Sequence, residues 1–354
     1  MKEKEKKHID EYDWIRVIAT ILVVIGHSSY LSISTLYGGV NYELPSTVNS
    51  HYYDWICSML RYISTWVYQF HMPLFFSLSG AVFALAKETS FFRVLFSKVK
   101  RLLFPYIVYG ILFMFPLKYW AGFYEKDKIG VAICSYFRIA ECGHLWFFPS
   151  LFWCFVTFLL IRKIGKGNPI LVFFIAYFIQ KSLPYVSKGY LGMPESLQYL
   201  MYFVIGFYFE KCIRDNRRNF NIRNSLWKLL MLTILVITSS GGLINPEDFV
   251  CILVKIYWIY SIANILVNTV GSVDRVKKMI RTLANYCFYI YVFHDPLEYV
   301  VLKLAFEGDW LSTGIGVYFY YFARTIMVYF LSLILGMIIV NMRNIRKNVR
   351  NLGI

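Results

Sequence analysis

The sequence has no Gly-x-Ser-x-Gly elbow, no Walker-type glycine loop and no Cys/His set at zinc-ligand spacing. Their absence excludes the serine-hydrolase nucleophile turn, the P-loop cradle for a nucleotide and a structural or catalytic zinc centre of familiar spacing. Charge is scarce, at 16% of residues, and acid is scarcer than base, with 21 Asp and Glu against 37 Lys and Arg. Cysteine is no scaffold either, because the seven residues are odd in number and lie mostly inside apolar runs. Only Cys134 and Cys142 fall together in one predicted outer loop, and spacing leaves their pairing open. There is no low-complexity tract and no solenoid period. No small-x-small cleavage site follows the first apolar stretch, which reads as an uncleaved first span.

What is present is apolar surface, at 58% of residues and a mean hydropathy of +0.51. Soluble domains hold about 45–50%. The excess runs along the whole chain in stretches too long and continuous for the period-2 alternation of a membrane barrel. The composition therefore predicts an all-α, polytopic integral membrane protein. A span needs about 20 apolar residues. That rule places ten transmembrane helices near 15–35, 62–86, 102–121, 145–163, 169–184, 196–211, 226–243, 249–270, 282–304 and 314–341. Residues 1–12 read as a cytoplasmic N-terminal arm, 13–341 as one transmembrane domain and 342–354 as a basic cytoplasmic tail.

The net charge of +16 fits topology better than nucleic acid. With both termini in the cytoplasm, 26 Lys and Arg fall on the inner side and 8 on the outer. Every inner segment is enriched, as inner loops of membrane proteins are.

Within that frame the chemistry must come from His, Arg and backbone groups in apolar surroundings. Arg16 and His27 lie eleven residues apart in the first span, so they share one helix face about 16 Å apart. An ionisable residue inside a span marks a functional site by default, and neutral imidazole suits a general base near pH 7. The alternatives are an interfacial topogenic arginine and a histidine bonded to a neighbouring helix. His71 opens the apolar run Phe70-His71-Met72-Pro73 at a depth similar to His27, with Pro73 expected to bend the helix and Ser79-Gly80 to permit close helix approach. Lys98, Lys100 and Arg101 sit before the third span, as ordinary positive-inside charge or as a phosphate-binding cluster. His144 and Trp146 open the fourth span on the outer side. His294 and Asp295 close the ninth, where adjacent residues cannot face one another as a dyad on one helix.

This order of motifs resembles the membrane acyltransferase-3 family, in particular its sugar O-acetylase branch. Arg16-x10-His27, the stretch from Phe70 to Gly80, the basic cluster before Pro105-Tyr106, His144-Leu145-Trp146-Phe147 and Tyr289 to His294 carry the resemblance over nearly the whole chain. The resemblance implies an O-acetyltransferase. Acetyl or a short acyl group would pass from cytosolic acyl-CoA to a hydroxyl of a cell-surface glycan or lipid-linked sugar. Acetyl-CoA is then a donor substrate, with no bound cofactor and no metal. It implies that His27 is catalytic and Arg16 its essential partner; His71, at similar depth, could hold the imidazole or donate to the developing oxyanion as a further catalytic residue. Lys98, Lys100 and Arg101 would bind the donor, and His144, Trp146 and His294 would face the acceptor. The family often carries Arg-x-x-Arg before the third span, whereas this chain has Lys98-x-x-Arg101, and lysine lacks the bidentate fork. The expected location is the cell membrane, in contact with lipid and not with nucleic acid; oligomeric state is not legible. The alternative is a multi-span transporter or flippase, although no paired half-repeats with broken helices occur.

Reporter domains fused before Met1 and after Ile354 should both read out as cytoplasmic. Opposite sides would sink the ten-span arrangement.

Overall fold

A computed structural model describes residues 8–28, 37–39, 50–86, 90–140, 142–183, 193–216, 221–240 and 248–351. The described residues are helical, without a strand. We number the helices α1 Asp10–Ser28, α2 Ser50–Tyr68, α3 His71–Ala84, α4 Phe91–Trp120, α5 Ile129–Phe137, α6 Phe147–Ile164 and α7 Pro169–Ser182. After these come α8 Met193–Leu197, α9 Leu200–Asn216, α10 Ile222–Ser240, α11 Phe249–Asn268, α12 Asp274–Glu307 and α13 Gly314–Asn351. Among the described residues, five stretches are long and apolar enough to cross a membrane: Phe91–Trp120, Gly143–Ile164, Ile222–Ser239, Phe249–Asn268 and Gly316–Asn344.

Several boundaries differ from the sequence reading, each for a local reason. The span expected at 62–86 is two helices, broken at Gln69 and Phe70. Pro73 lacks an N–H and its ring crowds the carbonyl four residues back, which is that of Gln69. Lys98, Lys100 and Arg101 lie inside α4 rather than in a loop before it. That helix contains two π turns, Val99–Leu103 and Gly110–Met114. Each is followed by Phe-Pro, and the wider turn accommodates the proline ring against the preceding carbonyls. The expected outer loop 122–144 holds α5, and the last helix runs on to Asn351 through most of the expected tail. Residues 29–35 of the first expected span lie outside the described residues. The start of α7 carries an ordinary side-chain cap. Asn168 Oδ1 accepts from the Ile170 and Leu171 N–H groups at 2.9 and 3.3 Å, with Pro169 opening α7.

Packing places α1 at the centre, against α2, α3, α11, α12 and α13. Its two halves serve different cores. Ile15 and Ala19 join the cluster built on α3, α6, α9 and α11, with Phe76, Phe158 and Phe203. Val23 and Val24 join the cluster built on α4, α12 and α13, with Tyr136, Phe293 and Tyr320. The cysteines expected to be close, Cys134 and Cys142, are both free thiols.

The tightest approach is between α3 and α9. A Cβ on Gly80 would stand 2.0 Å from the Phe203 carbonyl oxygen, and one on Gly206 would stand 1.9 Å from the Ser77 carbonyl oxygen. The backbones therefore touch, as small residues allow when van der Waals contact drives helix association. Gly80→Ala and Gly206→Ala should each push the helices apart and destabilise the fold by about 1–3 kcal/mol, seen as earlier melting in detergent. Unchanged melting for both would contradict the contact.

Candidate active site

The end of α1 is buried, and its last carbonyls need partners from outside the helix. Ser64 Oγ donates to the Gly26 carbonyl at 3.2 Å, Tyr321 Oη to that of Ile25 at 3.3 Å, and Arg324 Nη1 to that of Ser28 at 3.0 Å. Side chains of α2 and α13 thus fix the turn that carries His27.

Facing that turn is the middle of α12. His294 and Asp295 do not close this helix, which continues to Glu307. Pro296 lies inside it and removes the N–H that would have met the Val292 carbonyl. His144 Nε2 donates to that freed carbonyl at 2.9 Å. The His144 carbonyl in turn accepts from the Tyr291 hydroxyl. A proline in one helix thereby docks the one-turn 3₁₀ segment Gly143–Trp146 ahead of α6.

Asp295 is the meeting point. His27 Nδ1 lies 3.2 Å from Oδ1, while Lys118 Nζ at 2.6 Å and His144 Nδ1 at 3.1 Å approach Oδ2. The expectation that His294 and Asp295 cannot pair with each other holds, yet Asp295 pairs with groups from three other segments. His294 is fully buried and donates Nδ1–H to the Tyr291 carbonyl at 2.7 Å. This fixes a lone pair on Nε2, which has no hydrogen-bond partner among the described residues. Its ring stands edge-on to His27, with centroids 4.8 Å apart. The His27 side chain is 17% exposed, against 1–5% for His144, Lys118 and Asp295, so His27 is the member of this group that a substrate can reach.

One turn along α12, Glu298 and Arg324 form a second buried pair. Arg324 Nε lies 2.6 Å from Glu298 Oε2, Arg324 Nη2 donates to the Glu298 carbonyl at 2.9 Å, and Ser28 Oγ donates to Glu298 Oε1 at 2.5 Å. The pair ties α1, α12 and α13 together next to His27.

The remaining expected site residues are dispersed. Arg16 does not meet His27, since the rigid helix between them holds them about 16 Å apart. Its guanidinium pairs with Asp13 at 3.1 Å. His71 donates its Nδ1–H to the Val67 carbonyl at 2.9 Å. The Tyr68 ring contacts both His71 and His27. A neutral His71 in this tautomer presents a lone pair on Nε2, so it cannot donate to an oxyanion, contrary to one role the sequence suggested. Lys98 turns its ammonium onto the Phe155 ring at 3.5 Å, while Lys100 and Arg101 are exposed. Trp146 packs on Tyr199 at 5.2 Å, in a stack with Phe76. At the other end of α1, ligand atoms of His8, Asp10 and Asp13 lie within 4.8 Å of one another. Asp10 there already pairs with Lys277 and Arg281, and Asp13 with Arg16.

A family model described as an acyltransferase domain, acyltransferase-3, matches residues 9–342. The chain belongs to the acyltransferase-3 family. No curated protein and no solved structure matches it. For a membrane acyltransferase, the gathered groups offer a carboxylate-oriented imidazole and buried cations beneath it. Sequence reasoning found three histidines of this cluster but missed Lys118 and the Arg324–Glu298 pair. Lys118 is one of the eight outer Lys and Arg of the topology count, and nothing in its flanking Pro-Leu-Lys-Tyr-Trp distinguishes it. Arg324 carried one signal, being a charge inside an apolar span.

Arg324→Met should cost about 3–5 kcal/mol by leaving Glu298 buried without its cation. Adding Glu298→Gln should recover part of that loss in thermal melts. Equal and additive losses would mean that the two side chains act independently.

Proposed function

We propose that this acyltransferase moves an acetyl or short acyl group from cytosolic acyl-CoA to a hydroxyl of a cell-surface glycan or its lipid-linked precursor. The observation that carries the reading is the 3.2 Å contact from His27 Nδ1 to Asp295 Oδ1. A proton held on Nδ1 by the carboxylate leaves Nε2 as the base, and the carboxylate stabilises the imidazolium that forms.

The chemistry then balances on one imidazole. The acceptor O–H proton passes to His27 Nε2 as its oxygen attacks the thioester carbonyl. The tetrahedral intermediate expels CoA as a thiolate, which takes the proton back from His27. The ester and free CoA leave, and the site is restored.

The arrangement of ten spans with both termini in the cytoplasm belongs to this proposal, as does a place in the cell membrane. In that orientation Lys98, Lys100 and Arg101 lie toward the cytosol, where they would hold the donor's phosphates as point and forked charges. Arg16 lies on the same side of His27, about three helical turns away. The extended pantetheine arm of CoA is suited to bridging such a separation. The acceptor would arrive from the opposite side. There Trp146 offers an aromatic face for a sugar ring, and the buried His294 ring backs the His27 imidazole.

The test is acyl transfer by purified protein, read as CoA release from acetyl-CoA dependent on added glycan, with loss of the O-acetyl ester from surface glycans of cells lacking the gene. His27→Ala should abolish transfer, and Asp295→Asn should lower kcat by on the order of 10²-fold or more with little change in KM. Wild-type turnover by His27→Ala would remove the assignment. Export of unmodified substrate without CoA release would favour transport.

A further inference from the structure

Asp295 can orient His27 only while it is a carboxylate. Inside apolar surroundings an isolated carboxylate takes up a proton rather than stay charged. A protonated Asp295 would present a hydroxyl to one of its neighbours, and His27 Nδ1–H would lose a charged acceptor. Something must hold the charge in place, and it must do so without competing for the oxygen that His27 uses.

We propose that Lys118 is the positioning residue that keeps Asp295 ionised and aimed at His27. The inference rests on the proposed His27–Asp295 base. Three observations carry it. Lys118 Nζ lies 2.6 Å from Asp295 Oδ2, the shortest of the contacts to that carboxylate, while His27 sits on the other oxygen, Oδ1. The two carboxylate oxygens thus divide the work, with one balancing charge and the other orienting the base. The lysine is buried, with its side chain only 3% exposed, so its partner is this carboxylate rather than water. Its ammonium is also fixed from behind, 4.4 Å from the Phe123 ring centroid and 4.9 Å from that of Tyr299. Two aromatic faces stabilise a desolvated cation and leave its remaining protons no strong competing acceptor. His144 Nδ1 also faces Oδ2, but at 3.1 Å against the lysine's 2.6 Å, and its ring is held by the Nε2 contact to the Val292 carbonyl.

Lys118 is placed to act through Asp295 and touches no reacting atom. Its loss should therefore appear in turnover rather than in substrate binding. It should also be invisible once Asp295 has no charge to hold.

The experiment is a double-mutant cycle on the full chain in nanodiscs, with acetyl-CoA as donor and methyl β-D-glucoside as probe acceptor. Lys118→Met should lower kcat by about tenfold or more while the KM for acetyl-CoA stays within about twofold. Lys118→Arg, which keeps the cation, should restore most of that turnover. In the Asp295→Asn background, Lys118→Met should cause no further loss. Melting temperature supplies a second readout that needs no activity. Each single variant should melt earlier than wild type, and the double variant should melt later than Asp295→Asn, because the stranded buried lysine is gone. Additive losses in both turnover and melting, or no rescue by arginine, would overturn the assignment and leave Lys118 as a packing residue. If wild type releases no acceptor-dependent CoA while the melting cycle still shows the coupling, the transfer reading fails and the Lys118–Asp295 charge pair stands as structure alone.

Discussion

One buried carboxylate organises this site. Asp295 lies within the hydrophobic interior of α12 and draws to itself His27 from α1, Lys118 from α4 and His144 from the segment before α6. A charge in that position is stable only when it is paired, and each partner comes from a different part of the chain. The carboxylate is thus a structural knot as well as a source of chemistry. The second pair, Glu298 with Arg324, repeats the logic one turn along the same helix and adds α13.

Backbone irregularities make these pairings reachable. Pro296 frees the Val292 carbonyl and so creates the acceptor that seats His144. Pro73 lies four residues beyond the break between α2 and α3, where His71 meets the Val67 carbonyl. Prolines in helices surrounded by other helices cost little when a neighbour takes up the freed group. At Pro296 the neighbour that does so is His144. The contact of Gly80 and Gly206 with opposing backbone is the complementary device, drawing α3 and α9 together where no polar group is needed.

The helical class was legible from apolar run length, because a backbone in hydrocarbon must bond to itself. His27, His71, His144 and His294 were legible as well, since a histidine in an apolar run stands out against its background. Helix ends were less so. The split at Gln69–Phe70 and the helical placing of Lys98, Lys100 and Arg101 depend on how far a proline's effect reaches, and a hydropathy window averages over that distance. The pairing of Arg16 with Asp13 rather than His27 follows from helix rise, which keeps residues on one face apart along the axis.

The sequence by itself determined what the chain is made to do in general terms: a set of apolar helices bearing a few costly ionisable groups, in the order that marks the acyltransferase-3 family. It did so because composition, period and spacing are properties of neighbouring residues. Only the tertiary structure decided which groups meet. Lys118 and Asp295 are far apart in sequence, and Lys118 looks like any interfacial lysine until α4 and α12 pack. Their partnership is set by the rotation and depth of two helices, quantities that arise from packing and that no local pattern of residues records.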